Sequence, residues 1–391
     1  MSSHPGSANR ARFAIMFVVS VWPAASSVTA CAESTESGVY GDDASVIAPS
    51  EGSDAGVELD GGDGGDGRDV ALPDVPCAVG NVCRVQAPLT SGSISAITGR
   101  SRDDVWAAGS LGLMMRWDGH GWTKLASSVV PEDLTTVSSL SLSADETWGV
   151  AGNTIMRRAI DPDTVSSFEL FDFDRSPTSI VVVGGGSVYV GCSVGGIVQQ
   201  PPTARGILYE IASFELGVTT PVPDPVVEAT QQAWPMNIQA MAVAAEKALW
   251  TVGDRGAVAR YPLQRGDADG WTLGVGVVLP LTLEKDLFAA WADGDHLWAA
   301  GEGGVIVHFD GTEWHTQASG TKATLHAIFG LSETDIWAAG DDGVLLHFDG
   351  ASWSQAPIQG YSGSLRALWG AAPDDVWIGG EGAMFHWGPV P

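Results

Sequence analysis

Cysteine is scarce: the chain has four in 391 residues. Four cannot supply a dense disulfide scaffold or a Cys-rich zinc cluster. Basic residues are also few, with 19 Lys and Arg against 47 Asp and Glu and a formal charge of −28. Such a polyanion repels phosphate backbones, which excludes nucleic acid as a partner. The apolar run Phe13–Trp22 falls short of the roughly 20 residues needed to span a bilayer. What is abundant is Gly, at 50, and Trp, at 16. Hydrophobic residues make up 45%, enough to exclude a wholly disordered chain. Many Gly and Trp with few charges point to short strands and tight turns.

Residues 1–30 carry Arg10 and Arg12, then the apolar run, then small residues. This is the layout of a secretory signal peptide. It ends Val28-Thr29-Ala30-Cys31, which resembles the bacterial lipobox with Val28 where that pattern usually has Leu. The resemblance implies that Cys31 carries acyl chains and tethers the protein to a membrane. Ala32 in the following position implies the outer membrane or cell surface. The alternative is ordinary secretion, with cleavage near Ala25 or Ala30. Residues 31–76 form a linker, in which 32–76 hold 12 acids against the single base Arg68. Without apolar periodicity this stretch is expected to be disordered. Its Gly/Asp-rich run at 60–69 lacks flanking strands to fix the 6–8 oxygens of a calcium site.

From Cys77 onward one segment recurs. Its aromatic falls at Trp106, Trp148, Tyr189, Trp250, Trp298, Trp337 and Trp377, with spacings of 42, 41, 61, 48, 39 and 40. A period near 40–45 predicts a β-propeller. The expectation is all-β: seven blades over 77–391, each of four antiparallel strands. In the sixth repeat the strands read Leu325–Phe329, Asp335–Ala339, Val344–Phe348 and Ser352–Gln355. Asp118-Gly119, Asp310-Gly311 and Asp349-Gly350 predict two-residue type I′ turns between third and fourth strands. The Trp residues are expected between neighbouring blades.

The last repeat stops at Phe385-His386-Trp387 without a fourth strand. The segment Cys83-Arg84-Val85-Gln86-Ala87-Pro88 parallels Trp353-Ser354-Gln355-Ala356-Pro357. An N-terminal strand should therefore complete the seventh blade and remove an open sheet edge. Cys77 and Cys83 flank that strand and are expected to form a disulfide in an oxidising compartment. Cys192 is expected in the core. The repeats resemble the broad group of WD-, YVTN- and BNR-type propellers of bacterial exported proteins. Photosystem II assembly-factor-like and BNR sialidase-like propellers are among its members. Phe309-Asp310-Gly311-Thr312-Glu313-Trp314 approximates the BNR Asp-box, and Trp117-Asp118 is the only WD dipeptide of its kind.

Candidate chemistry is sparse. Gly191-Cys192-Ser193-Val194-Gly195 matches a nucleophile elbow but lacks the strand-turn-helix setting such a motif needs. His308, His347 and His386 recur at the ends of third strands, with Arg116, Arg158 and Arg260 in equivalent places. They are expected to pair with Asp104, Asp335 and Asp375 within blades rather than to share a metal. No metal site and no cofactor are expected. The third repeat is the asymmetric one. Its second-to-third connection is read as Cys192–Gly206, and the connection into the fourth repeat as Glu215–Asn237. Both emerge on the face that carries Asp254, Arg255, Glu302, Asp341, Asp342 and Glu381 in tight turns. Long loops on one face are where function usually lives. That face, with Trp234 and Met236, is the expected ligand-binding site of a monomeric, non-catalytic envelope protein for a protein or glycan partner. The alternatives are a glycan-active hydrolase or lyase and an assembly factor for an envelope complex. BNR sialidases, by resemblance, use an arginine triad and a tyrosine nucleophile, and five Tyr with no convergent Arg set argue against that chemistry.

Overall fold

The computed structural model describes residues 80–89, 92–125, 136–159, 164–169, 175–184, 187–194, 208–213, 218–221, 237–244, 247–266 and 271–389. The chain divides into two units, Met1–Ala71 and Leu72–Pro391, and every described residue belongs to the second. Cys31 and Cys77 lie outside the described residues, as do the predicted signal peptide and linker. Cys83 is disulfide-bonded, and Cys192 is buried.

The strands assemble into seven antiparallel sheets, which are the seven blades of a β-propeller. Each first strand packs against the first strands of its two neighbours, and the seven contacts close a ring around a central channel. The first strands are Ile94–Ser101, Val137–Leu142, Arg175–Val183, Ile238–Ala244, Leu287–Asp293, Leu325–Ser332 and Leu365–Ala372. The fourth blade carries a small fifth strand, Val277–Val278, on its third. Ring closure follows the sequence expectation. Val82–Val85 pairs with Ala383–Trp387, placing Val82 beside Trp387 and Cys83 beside His386.

The second strands explain the tryptophan spacing. Trp250, Trp298, Trp337 and Trp377 are fully buried. Each meets an aromatic ring of the next blade. Trp250 lies 5.9 Å from Phe309, Trp298 5.0 Å from Phe348, and Trp337 4.9 Å from Trp387. Trp377 reaches across the closure to Trp117 at 5.1 Å and Trp122 at 5.0 Å. A buried indole removes about 150–250 Å² from water, so these contacts carry much of the cohesion between blades.

Three sequence expectations need correction. First, the Asp-Gly turns are not type I′. Only the glycines take positive φ, at 88°, 92° and 90° for Gly119, Gly311 and Gly350. Each Asp instead accepts backbone N–H groups two and three residues on. Asp310 Oδ1 takes Thr312 N at 2.8 Å and Glu313 N at 2.9 Å, and Asp118 and Asp349 do the same. A short carboxylate prefers this local bonding. Two consecutive positive-φ residues occur elsewhere, between second and third strands, at Leu111-Gly112, Arg255-Gly256, Gly303-Gly304 and Asp342-Gly343. Second, a strand, Val218–Pro221, lies inside the stretch read as the Glu215–Asn237 connection. The β-branched run Val218-Thr219-Thr220 favours it. Third, the second strand of this blade runs on to Val194, so Gly191-Cys192-Ser193 is strand rather than turn, and the connection read as Cys192–Gly206 does not begin at Cys192.

Candidate functional site

Every first strand carries a β-bulge near its start. The ladder skips one residue at Ser95, Ser138, Thr178, Gln239, Phe288, His326 and Arg366. A bulge re-aims a side chain and ends regular pairing locally. Here it is repeated seven times around one rim of the channel, the rim bearing the turns between second and third strands. In five blades a glycine closes the second strand beside the bulge. A Cβ on Gly109, Gly253, Gly301 or Gly340 would sit 1.7–2.1 Å from the carbonyl oxygen of Ser93, Asn237, Asp286 or Thr324. On Gly380 it would lie 2.6 Å from the Ser364 carbonyl. The repeated Gly thus lets the backbone of the entering loop cross the second strand.

Two turn acids hold bulged residues, and two others hold the segment that enters the bulged strand. In blade 4, Asp254 accepts Gln239 Nε2 at 2.9 Å and Asn237 Nδ2 at 2.8 Å. In blade 6, Asp341 Oδ1 contacts His326 Nε2 at 2.9 Å and accepts Ser364 Oγ at 2.7 Å. Burial opposes ionisation of Asp341. The hydrogen bonds from Ser364 and His326, with the charges of His326 and Arg366, outweigh it and hold the carboxyl below the usual range. Phe288 packs on His326 across the blade boundary, 6.1 Å between rings. Glu302 accepts Asp286 N at 3.4 Å, and Glu381 accepts Ser364 N at 3.4 Å. Arg255 lies 3.3 Å from Glu284, and its N–H donates to Asp286 at 2.8 Å. A cleft of about 560 Å³ opens beside this rim, lined by Lys285, Gly303, Gly304, Thr321 and Lys322 among others.

The sequence-predicted acids are therefore brought to one rim, but Asp254 and Asp341 serve as partners for residues the sequence reading overlooked. Asp342 is the left-handed residue of its turn, with φ 59°. Trp234 and Met236 lie outside the described residues. The overlooked set is Gln239, Phe288, His326, Ser364 and Arg366. A signal existed: Ile94-Ser-Ala96, Ile238-Gln-Ala240, Leu287-Phe-Ala289, Leu325-His-Ala327 and Leu365-Arg-Ala367 share an apolar-x-Ala pattern, and x is the bulged residue. The base–acid pairs near the opposite face follow expectation for Arg116 on Asp104 at 2.8 Å, His347 on Asp335 at 2.8 Å and His386 on Asp375 at 2.7 Å. In blade 2 it is Arg157, not Arg158, that faces Trp148 and approaches Glu146, at 3.7 Å. Arg260 turns instead to Asp295 of the next blade, at 2.6 Å.

Neither a protein-family model nor a curated protein matches the chain. Solved structures do. A structure of YCF48 bound to D1 peptide superposes with TM-score 0.58 and 17% identity, covering 82% of this chain and 99% of that one. Streptogramin B lyase gives 0.59 and 14%, covering 78% and 96%. The WD40 propeller domain of Doa1 gives 0.54 and 12%, covering 79% and 95%. At these identities the likeness is one of fold: the chain is built as a β-propeller.

Proposed function

We propose that the chain is an envelope-anchored, non-catalytic propeller that binds a protein or glycan partner on the rim bearing the bulged residues. One observation carries this reading. Seven bulges set residues of unlike chemistry, among them Gln239, Phe288, His326 and Arg366, on a rigid ring at one channel mouth. Such a ring offers an aromatic surface, a cation and fixed hydrogen-bonding groups in known positions, which suits a specific ligand better than a bulk charge effect. The peptide held by YCF48 supports a protein ligand. The sequence address, with lipidation at Cys31 and a tether over 31–76, supports a place on the membrane surface.

A second reading rests on His326. Its ring is held by Asp341 beside Ser364 and Arg366, an arrangement that orients a general base. Streptogramin B lyase shares the fold, and a neighbouring structure shows a catalytically inactive virginiamycin B lyase from Staphylococcus aureus with quinupristin. An elimination or hydrolysis activity abolished by His326→Ala would favour this alternative.

The test is a cross-linked pull-down from host envelope extract. It compares the chain with a Phe288→Ala/Arg366→Glu variant and with one shortened within 222–236. The expected result is one partner captured by the parent chain and lost from the double variant at unchanged melting temperature. A partner retained by both variants removes the rim from consideration.

A further inference from the structure

Blade 5 departs from its sisters in charge. The chain has four lysines, Lys124, Lys247, Lys285 and Lys322. Two of them, Lys285 and Lys322, line the cleft beside the rim, and neither an acid nor an aromatic ring lines it with them. The turn glycines set the geometry, with positive φ of 62° at Gly303 and 75° at Gly304. A Cβ on Gly303 would sit 2.5 Å from Lys285 Nζ, and one on Gly304 would sit 2.3 Å from the Thr321 carbonyl oxygen. Lys285 thus lies over the turn, where its ammonium donates to the Gly303 carbonyl at 3.4 Å. That uses one of its three N–H groups. Lys322 is exposed, and among the described residues neither lysine is paired with an acid. The acids nearest in sequence turn elsewhere. Glu284 lies 3.3 Å from Arg255, Asp286 accepts the Arg255 N–H at 2.8 Å, and Glu302 accepts the Asp286 N–H at 3.4 Å. Neighbouring blades lack both cations. The second turn glycine meets the loop that leaves its blade at Leu283 in blade 4, Thr321 in blade 5 and Tyr361 in blade 6. The next residue is Glu284, Lys322 and Ser362 in turn. Two places before the first strands of blades 5, 6 and 7 stand Lys285, Ala323 and Gly363.

We propose that this cleft takes a carboxylate side chain from an acidic peptide segment of the partner. The proposal rests on the reading of the rim as a binding face and names the chemistry that face accepts. Two ammonium groups from two different loops make a local positive site on a chain of formal charge −28. An acidic segment is repelled by most of this surface, so the one place that accepts it fixes its register. Charges arranged in this way confer specificity more than raw affinity. A carboxylate entering the cleft gains charge-assisted hydrogen bonds, which are shorter and stronger than neutral ones. Leu283, Val305 and Ala318 give the cleft an apolar side against which the methylenes of a Glu pack. A sugar finds no ring there on which to stack. The volume of about 560 Å³ lies within the range of about 300–1,000 Å³ usual for ligand sites.

Reductive methylation with isotope-labelled formaldehyde marks the lysines of the purified full chain and keeps their charge, so each amine reports separately by NMR. The labelled chain is titrated with acetyl-Ala-Glu-Glu-Ala-amide, with the Gln counterpart of that peptide, with oligogalacturonate and with inorganic phosphate. Lys285→Gln and Lys322→Gln assign the two signals of the cleft, and Lys124 and Lys247 serve as internal controls. The expected result is a saturable shift of Lys285 and Lys322 with the acidic peptide, none at the controls and none with the Gln counterpart. The Lys285→Gln/Lys322→Gln double variant should weaken the acidic peptide by about fivefold or more at unchanged melting temperature. Added salt should weaken the peptide on the parent chain. A peptide that shifts all four lysines alike, or none, overturns the proposal. So does tighter binding of oligogalacturonate or of phosphate. The pull-down keeps the two readings apart: a partner lost from the Phe288→Ala/Arg366→Glu variant but kept by the double lysine variant leaves the rim standing and removes this site.

Discussion

Gly340→Ala is expected to destabilise the chain by about 3 kcal/mol or more, at the upper end of overpacking penalties. The added Cβ would lie 2.1 Å from the Thr324 carbonyl oxygen and 2.9 Å from Leu325 Cα. Both are backbone atoms, one at the first residue of the bulged strand and one just before it, so no side chain can swing away. The neighbours cannot retreat either, because Asp341 N donates to that same Thr324 carbonyl at 2.9 Å. Relief requires the bulge to shift, which would carry His326 away from Asp341 and disturb the rim. Gly121→Ala is the matched control: nothing lies within 4 Å of its Cβ and its φ is not positive. It should change stability by about 0.5 kcal/mol or less. Urea unfolding of both variants decides the matter. Equal midpoints would mean that the repeated glycine does not owe its place to backbone contact.

That glycine shows what the sequence disclosed and what it withheld. The repeat Trp-Ala-Ala-Gly was legible as a strand ending in a turn, and with it the blade count. The closing strand was legible because Cys83–Pro88 copies the end of the sixth blade. The bulge was not legible, since it is a property of two strands in register, and only the pairing of Leu325 with Gly340 and Ala327 with Ala339 exposes His326 as the extra residue. Asp-Gly was misread for a related reason. The dipeptide is compatible with either a backbone solution or a side-chain solution, and Asp310 takes the latter through Thr312 and Glu313. The row His296, His308, His315 was hidden by its spacing in the chain. Only strand pairing sets His315 opposite His308, and only the Asp-to-His exchange at 296 leaves His308 without the second-strand acid that His347 and His386 bind.

Asp375→Ala is the other substitution with a large expected effect, a loss of about 3–5 kcal/mol. Asp375 and His386 are both wholly buried, joined at 2.7 Å. Removing the carboxylate takes away the acid that meets the buried imidazole at Nε2, while Nδ1 stays on the Gly388 carbonyl at 3.1 Å. The same change in blade 6, Asp335→Ala, breaks the equivalent contact to His347. There the side chains keep 28% and 19% of their exposure, so water can replace the acid at a cost of about 1 kcal/mol. The difference matters most in blade 7 because His386 sits in the strand that receives Val82–Val85, with Cys83 directly opposite. Arg102 of blade 1 adds to the same point, reaching Asp374 and lying 3.5 Å from Asp375 Oδ2. One carboxylate therefore supports a buried imidazole, the closing strand and the tie to the first blade. Thermal melts of Asp375→Ala and Asp335→Ala give the energetic comparison, and hydrogen exchange at Val82–Val85 gives the structural one. Faster exchange there in Asp375→Ala alone is the expected outcome. Similar melts and unchanged exchange would place the strength of the closure in the backbone ladder and the Trp377–Trp117 contact instead.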